Sequence, residues 1–120
     1  QIEYHAYIRQ DKITAACGRH GLLVTCHAPM ARGTVLKDPV IRKIAKSRGK
    51  TAAQVALKWL VQQPNMIVVP RALEYSEIRE NIDIFDFELS ENEMNQISRL
   101  RDRNRRIVDP MVRRPVWDEG

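Results

Sequence analysis

Arg71 stands at the end of a short apolar run, Ile67-Val68-Val69-Pro70, and just before a stretch of helical character at 76–82. A strand that delivers one guanidinium to the start of a helix offers an anion both a charge and free backbone N–H groups, and phosphate suits such a place. A solvated turn is the other reading of the same residues. A second set of cations, Arg99, Arg101, Arg103, Arg105, Arg106, Arg113 and Arg114, crowds the last quarter of the chain. Clustered arginine attracts phosphate-rich partners. No aromatic residue is interleaved for base stacking, however, and Asp102, Asp109 and Asp118 sit among the cations. The cluster therefore reads as a solvated tail, with nucleic acid disfavoured as a partner. Cys17 and Cys26 match no CxxC or Cys/His spacing. Both are expected to be reduced, and no metal site is expected.

The chain that must position these groups has 120 residues, 43% of them hydrophobic and 29% charged, with a formal net charge of +5. That composition describes one globular domain rather than a disordered segment. No run of 18 apolar residues exists and the N-terminus has no signal-peptide pattern. A cytoplasmic protein with no membrane partner is the expectation. The chain opens on Gln1, and Ile2-Glu3-Tyr4 already reads as a strand. Sequence upstream of it is expected to be missing or removed.

Asp11 is expected to N-cap a helix over 12–19 that Gly21 ends. Residues 22–26, Leu-Leu-Val-Thr-Cys, form the continuous apolar run of a buried parallel strand. Asp38-Pro39 opens a helix with Val40, Ile41, Ile44 and Ala45 on one face, and Gly49 stops it. Thr51 with Gln54, and later Ser90 with Glu93, have capping-box spacing at the start of two further helices. Residues 66–69 make a third strand. Strands alternating with helices predict βαβ units, hence an α/β fold with a parallel sheet covered by helices. Three strands cannot close a barrel and leave two unpaired edges. The fold is expected to be completed by further chain or by a partner.

In that order, QIEYHAY at 1–7, LLVTCHAPMARG at 22–33, LKDPVIRKIAKSRGKTAAQVALKWLVQQ at 36–63 and VVPRALEYSEIRENIDIFDFELSENEM at 68–94 resemble the C-terminal half of aldo-keto reductases. The tail, RNRRIVDP through PVWD at 103–118, is similar to the ends of bacterial 2,5-diketo-D-gluconate-reductase-type members. The resemblance implies a partial (β/α)8 barrel made of the last three βα units, with an arginine-rich tail from about 99. It implies an oxidoreductase that moves hydride between NADP or NAD and a carbonyl or alcohol. The family's Asp, Tyr, Lys and His tetrad, in which tyrosine acts as general acid, would lie upstream of the matched region. Tyr4 and His5 have suitable side chains but match a different family stretch. No catalytic residue is assigned to this chain, which is expected to be inactive alone.

What the resemblance leaves in the chain is equipment for holding a nicotinamide dinucleotide. Gln1 matches the glutamine that hydrogen-bonds the carboxamide. His27 matches an aromatic, usually tyrosine, that stacks on the nicotinamide; read by itself it is a histidine bonded at a strand end. Ala28, Met30 and Arg32 match the loop that wraps the pyrophosphate, with Ala28 in place of a common serine. Arg71 matches the basic residue that pairs with the 2′-phosphate of NADP, usually lysine, and arginine offers a two-pronged contact there. Ala72 replaces a serine or threonine, and Glu77 replaces an arginine. Glu80 and Asn81 match the pair that recognises adenine; without the match they read as a solvated helix face. Trp117 is a substrate-pocket candidate for the carbonyl substrate. A carboxylate about 5 Å from a phosphate, at an effective dielectric near 20, costs roughly 3 kcal/mol before screening. Weaker preference for NADP, or use of NAD, is expected from Glu77.

A reading from another class is a stand-alone oligomeric interaction or scaffold protein derived from a half barrel. In either case the strand residues Leu23, Thr25, Ile67 and Val69 lack facing layers, so self-association or a missing N-terminal half is expected to cover them.

Overall fold

A computed structural model describes residues 1–109. The chain order is β1 (Ile2–Glu3), α1 (Asp11–Arg19), β2 (Val24–His27), α2 (Pro39–Arg48), α3 (Ala52–Val61), β3 (Met66–Val68), α4 (Tyr75–Ile82) and α5 (Glu91–Ser98). Short 3₁₀ segments span Ala31–Lys37 and Arg99–Arg103. The fold is α/β: three parallel strands in the order β1-β2-β3, with the helices in the connections.

Local chemistry accounts for most helix ends. Asp38 Oδ1 accepts the Val40 N–H at 2.9 Å, with Pro39 in the first turn. Thr51 and Gln54, and Ser90 and Glu93, form the reciprocal capping boxes that their spacing predicts. Asp11 does not cap α1. Gln10 is the N-cap, and Asp11 is the first helical residue, its carboxylate drawn to Arg101 Nη1 at 2.8 Å. Gly21 ends α1 at φ +64°, where a side chain would be strained. Its N–H reaches the Gly18 carbonyl and the Leu22 N–H reaches the Cys17 carbonyl, which together complete a Schellman turn.

The strand register explains which face of the sheet is packed. Ile2 lies opposite Cys26, Val24 opposite Met66 and Cys26 opposite Val68. These five point into the core with Tyr4, Ile8, Val35, Ile41, Val55, Trp59, Leu60 and Ile97. Side chains alternate across a strand, so Leu23, Thr25, His27, Ile67 and Val69 share the opposite face. Leu23, Ile67 and Val69 are 63%, 44% and 52% exposed. The expected fully buried run at 22–26 is therefore corrected. Leu22 and Leu23 precede the strand and are exposed, and Leu23 falls on the side of the sheet where Ile67 and Val69 are exposed too.

For Arg101, Arg103 and Arg106 the expected solvated tail is corrected, whereas Arg99 and Arg105 stay exposed. Arg101 donates to Asp11 and to the Tyr4 hydroxyl. Arg103 pairs with the buried Asp38 at 2.9 Å and lies 4.4 Å over the Tyr7 ring. Arg9 pairs with Asp102, and the Arg105 N–H reaches the Tyr7 carbonyl. Residues 101–108 thus form a strap bound to the first eleven residues and to Asp38. Arg113, Arg114 and Trp117 lie outside the described residues. Among the described residues, no helix is long and apolar enough to cross a membrane.

Candidate functional site

The groove of interest lies beyond the carboxyl ends of β2 and β3. Two connections wall it: the turn after β2, contributing Ala28, Pro29, Met30, Arg32 and Gly33, and the β3–α4 connection, contributing Val69, Arg71, Leu73 and Glu77. Its volume is about 780 Å³, within the range of small-ligand sites. Ligands in open α/β sheets bind outside the carboxyl ends of strands. The turn owes its shape to left-handed backbone at Ala28, Ala31, Arg32 and Gly33 (φ 53°, 46°, 52° and 85°). Internal bonds from the Ala31 N–H to the Ala28 carbonyl and from the Gly33 N–H to the Met30 carbonyl, both 2.8 Å, hold it. Met30 packs on the core, which leaves Arg32 exposed at the rim.

Glu77 fixes the opposite wall. Its Oε2 accepts the Leu73 N–H at 2.7 Å and the Glu74 N–H at 3.2 Å. Those two bonds, with the positive Arg71 nearby, hold the Glu77 carboxyl below the ordinary glutamate range. The groove therefore presents two guanidiniums and one ionised carboxylate.

Of the residues singled out in the sequence, Ala28, Met30, Arg32 and Arg71 come together here. His27 is the last residue of β2, opposite Glu3, and lies beside the groove without lining it. Gln1 is exposed immediately before β1. Glu80 and Asn81 lie further along α4. The Glu80 carboxylate accepts the Thr51 hydroxyl, and its carbonyl accepts Gln54 Nε2 at 3.3 Å, so this acid ties α4 to the start of α3. Asn81 lines a separate apolar groove of about 390 Å³ with Leu57, Val68, Ile78 and Phe85. Ala72 also faces that second groove.

Sequence reasoning passed over Glu3. It is 3% exposed, and its carboxylate accepts the Ile107 N–H at 2.6 Å, the Val108 N–H at 2.9 Å and His5 Nε2 at 2.8 Å. Burial pushes the Glu3 carboxyl up, but these bonds outweigh it and hold the pKa low. His5 is fully buried, and burial holds its pKa down despite the acid beside it. A neutral ring then donates from Nε2 to Glu3 and accepts the Tyr7 N–H at Nδ1, 3.2 Å away. The sequence marks Glu3 only as a strand residue, because its backbone partners Ile107 and Val108 lie more than a hundred positions away. Burial raises the Cys26 thiol to about 11, which leaves it protonated and unreactive. Among the described residues, no group of three or more His, Cys, Asp or Glu is placed to hold a metal ion.

A model of the aldo/keto reductase family matches residues 1–102. An aldo-keto reductase of Mycobacterium sp. (strain JLS) is 38% identical over 110 residues, which cover 92% of this chain and 40% of that protein. An uncharacterized oxidoreductase of Caenorhabditis elegans is 37% identical over 109 residues, covering 91% of this chain and 34% of the relative. The chain thus spans well under half the length of these curated relatives. Among solved structures, one named as a 2,5-diketo-D-gluconic acid reductase B superposes with a TM-score of 0.91 at 42% identity, over 98% of this chain and 42% of that one. A mutant of Gox0644 in complex with NADPH superposes with a TM-score of 0.80 at 32% identity, over 83% of this chain and 36% of that one. With 102 residues matched in order and the groove at the carboxyl ends of parallel strands, the chain belongs to the aldo/keto reductase family.

Proposed function

We propose that this chain is the C-terminal, cofactor-holding portion of an NAD(P)H-dependent carbonyl reductase, built as the last three βα units of a barrel. The observation that carries the reading is the groove itself. Ala28, Met30 and Arg32 from one loop face Arg71 from the next. Two guanidiniums and a left-handed turn suit the phosphates of a dinucleotide. The related structure holding NADPH supports the same use. When bound, a reduced nicotinamide would supply hydride to a carbonyl substrate. Arg32 and Arg71 would hold phosphate, and His27 would stand at the end of β2 beside the ring. The proton donor for the carbonyl would come from outside the residues described, and on this reading the chain alone has no turnover.

Titrating the chain with NADPH and following nicotinamide fluorescence tests the assignment. Binding is expected to saturate and to weaken by about tenfold or more in Arg71→Ala, the loss of a charge-assisted contact. Equal binding by wild type and variant would remove Arg71 from the site.

A second reading, an oligomeric interaction protein, draws on the exposed sheet face. Leu23, Ile67 and Val69 form an apolar surface, and such surfaces mark places where protein meets protein. The missing part of a barrel or a second copy of this chain would cover it. The two readings separate by whether the assembled species binds dinucleotide.

A further inference from the structure

No Asp or Glu occurs between Asp38 and Glu74, and α2 opens that interval. The helix buries Ile41, Ile44 and Ala45 in the core. At about 100° per residue, Arg42, Lys43 and Lys46 fall on the opposite face, and all three are exposed. Lys37, just before the helix, is exposed too. None of these four cations forms an ion pair among the described residues. Others close by are matched: Arg48 with Glu93, Lys50 with Asp86 and Arg103 with Asp38.

Arg42 and Lys46 stand four residues apart, and Lys43 and Lys46 three, the spacings at which like charges on a helix repel. A dense anion laid along the face relieves that repulsion. We propose that the outer face of α2 binds the phosphate backbone of double-stranded nucleic acid, without reading its bases.

The chemistry of the face selects this partner. An acidic protein would meet these flexible cations one carboxylate at a time, and exposed pairs of that kind contribute little. A duplex carries a phosphate charge about every 1.7 Å along its axis and releases condensed counterions to each cation that replaces them. A few unmatched cations are then enough for binding at low salt. A helix that lies on a membrane needs a free apolar face, and that of α2 is committed to the core. Residues 37–48 include no aromatic side chain, so unpaired bases find nothing to stack on. The helices of a βα barrel lie outside its strands, so further βα units would leave this face open.

The test follows the fluorescence anisotropy of a labelled, mixed-sequence DNA duplex of about 20 base pairs across a salt series. It uses the natural polypeptide that carries these residues. Four cations predict a slope of log K against log salt of roughly −3 to −4. In the double variant Lys43→Gln with Lys46→Gln, the slope is expected to shrink by about 2, and affinity at ~50 mM salt to fall by about tenfold or more. Glutamine favours helix, and circular dichroism with thermal melts checks that α2 persists. Arg19→Gln with Arg79→Gln removes two exposed cations from α1 and α4 and is expected to leave the slope unchanged. No binding by wild type at low salt, an unchanged slope in the α2 variant, or an equal loss in both double variants would overturn the proposal. Tighter binding to poly-L-glutamate or to phosphatidylserine vesicles than to the duplex, at equal charge, would overturn it as well.

Discussion

Replacing Glu3 with glutamine is expected to release the C-terminal strap from the body of the protein. The carboxylate is 3% exposed and takes three donors: Ile107 N–H, Val108 N–H and His5 Nε2. Glutamine keeps one oxygen, and its NH₂ must then face a group that also donates. At least one charge-assisted bond is lost and one N–H loses its acceptor. Each such bond contributes about 1.5–3 kcal/mol, so the expected cost is roughly 2–4 kcal/mol. The strap is expected to open without unfolding the core, so that the loss reads out locally. Hydrogen exchange at the Ile107 and Val108 amides is expected to accelerate by about one and a half to three orders of magnitude, while core amides such as Leu60 change little. The pH response has a definite sign. The folded Glu3 pKa is held low, so its contribution is present above the ordinary glutamate value near 4.3 and is lost as pH falls through the lower folded value. The variant loses that acid-side dependence. Protection of Ile107 and Val108 within about threefold of wild type would refute the claim that Glu3 holds the strap.

Three further outcomes follow from the same geometry. His5 is buried and held neutral, so it adds stability above the ordinary histidine value near 6.5 that is lost as pH falls toward the folded value; stability measured across this range should flatten on its acid side in His5→Gln, and an unchanged profile would count against the neutral ring. The exposed sheet face predicts self-association of the isolated chain. Sedimentation should show a species heavier than a monomer that Ile67→Lys with Val69→Lys dissociates, and a wild-type monomer with a sharp cooperative melt would contradict this. Ser90→Ala removes the oxygen that accepts the Glu93 N–H and should cost about 1 kcal/mol, read from denaturant midpoints at constant slope.

Groups that act on near neighbours in the chain were legible. Asp38-Pro39, Thr51 with Gln54, and Ser90 with Glu93 begin helices where their spacing puts them, because a cap is settled within four residues. Asp11 was the exception: an alternative partner ninety positions away, Arg101, holds its carboxylate in the folded chain. Arg71 at the end of an apolar run was visible as a candidate phosphate hook, and the structure brings it to the same groove as Ala28, Met30 and Arg32. The second job of Glu77, capping the connection beside Arg71, could be suspected from its place near a helix start but depends on how residues 73 and 74 turn.

By itself the sequence determined the alternation of strands and helices and most of the helix starts, which follow from periodicity and from contacts a few residues apart; the family was legible only as a resemblance of its motifs. Tertiary structure decided which face of the sheet is covered, since Leu23 and Val24 are equally apolar but alternate sides. It also decided what the arginines do. Arg101, Arg103 and Arg106 approach Asp11, Asp38 and Glu3, acids far away in the chain. An ion pair has no spacing rule across such distances; it exists only once packing has brought the two ends of the chain together.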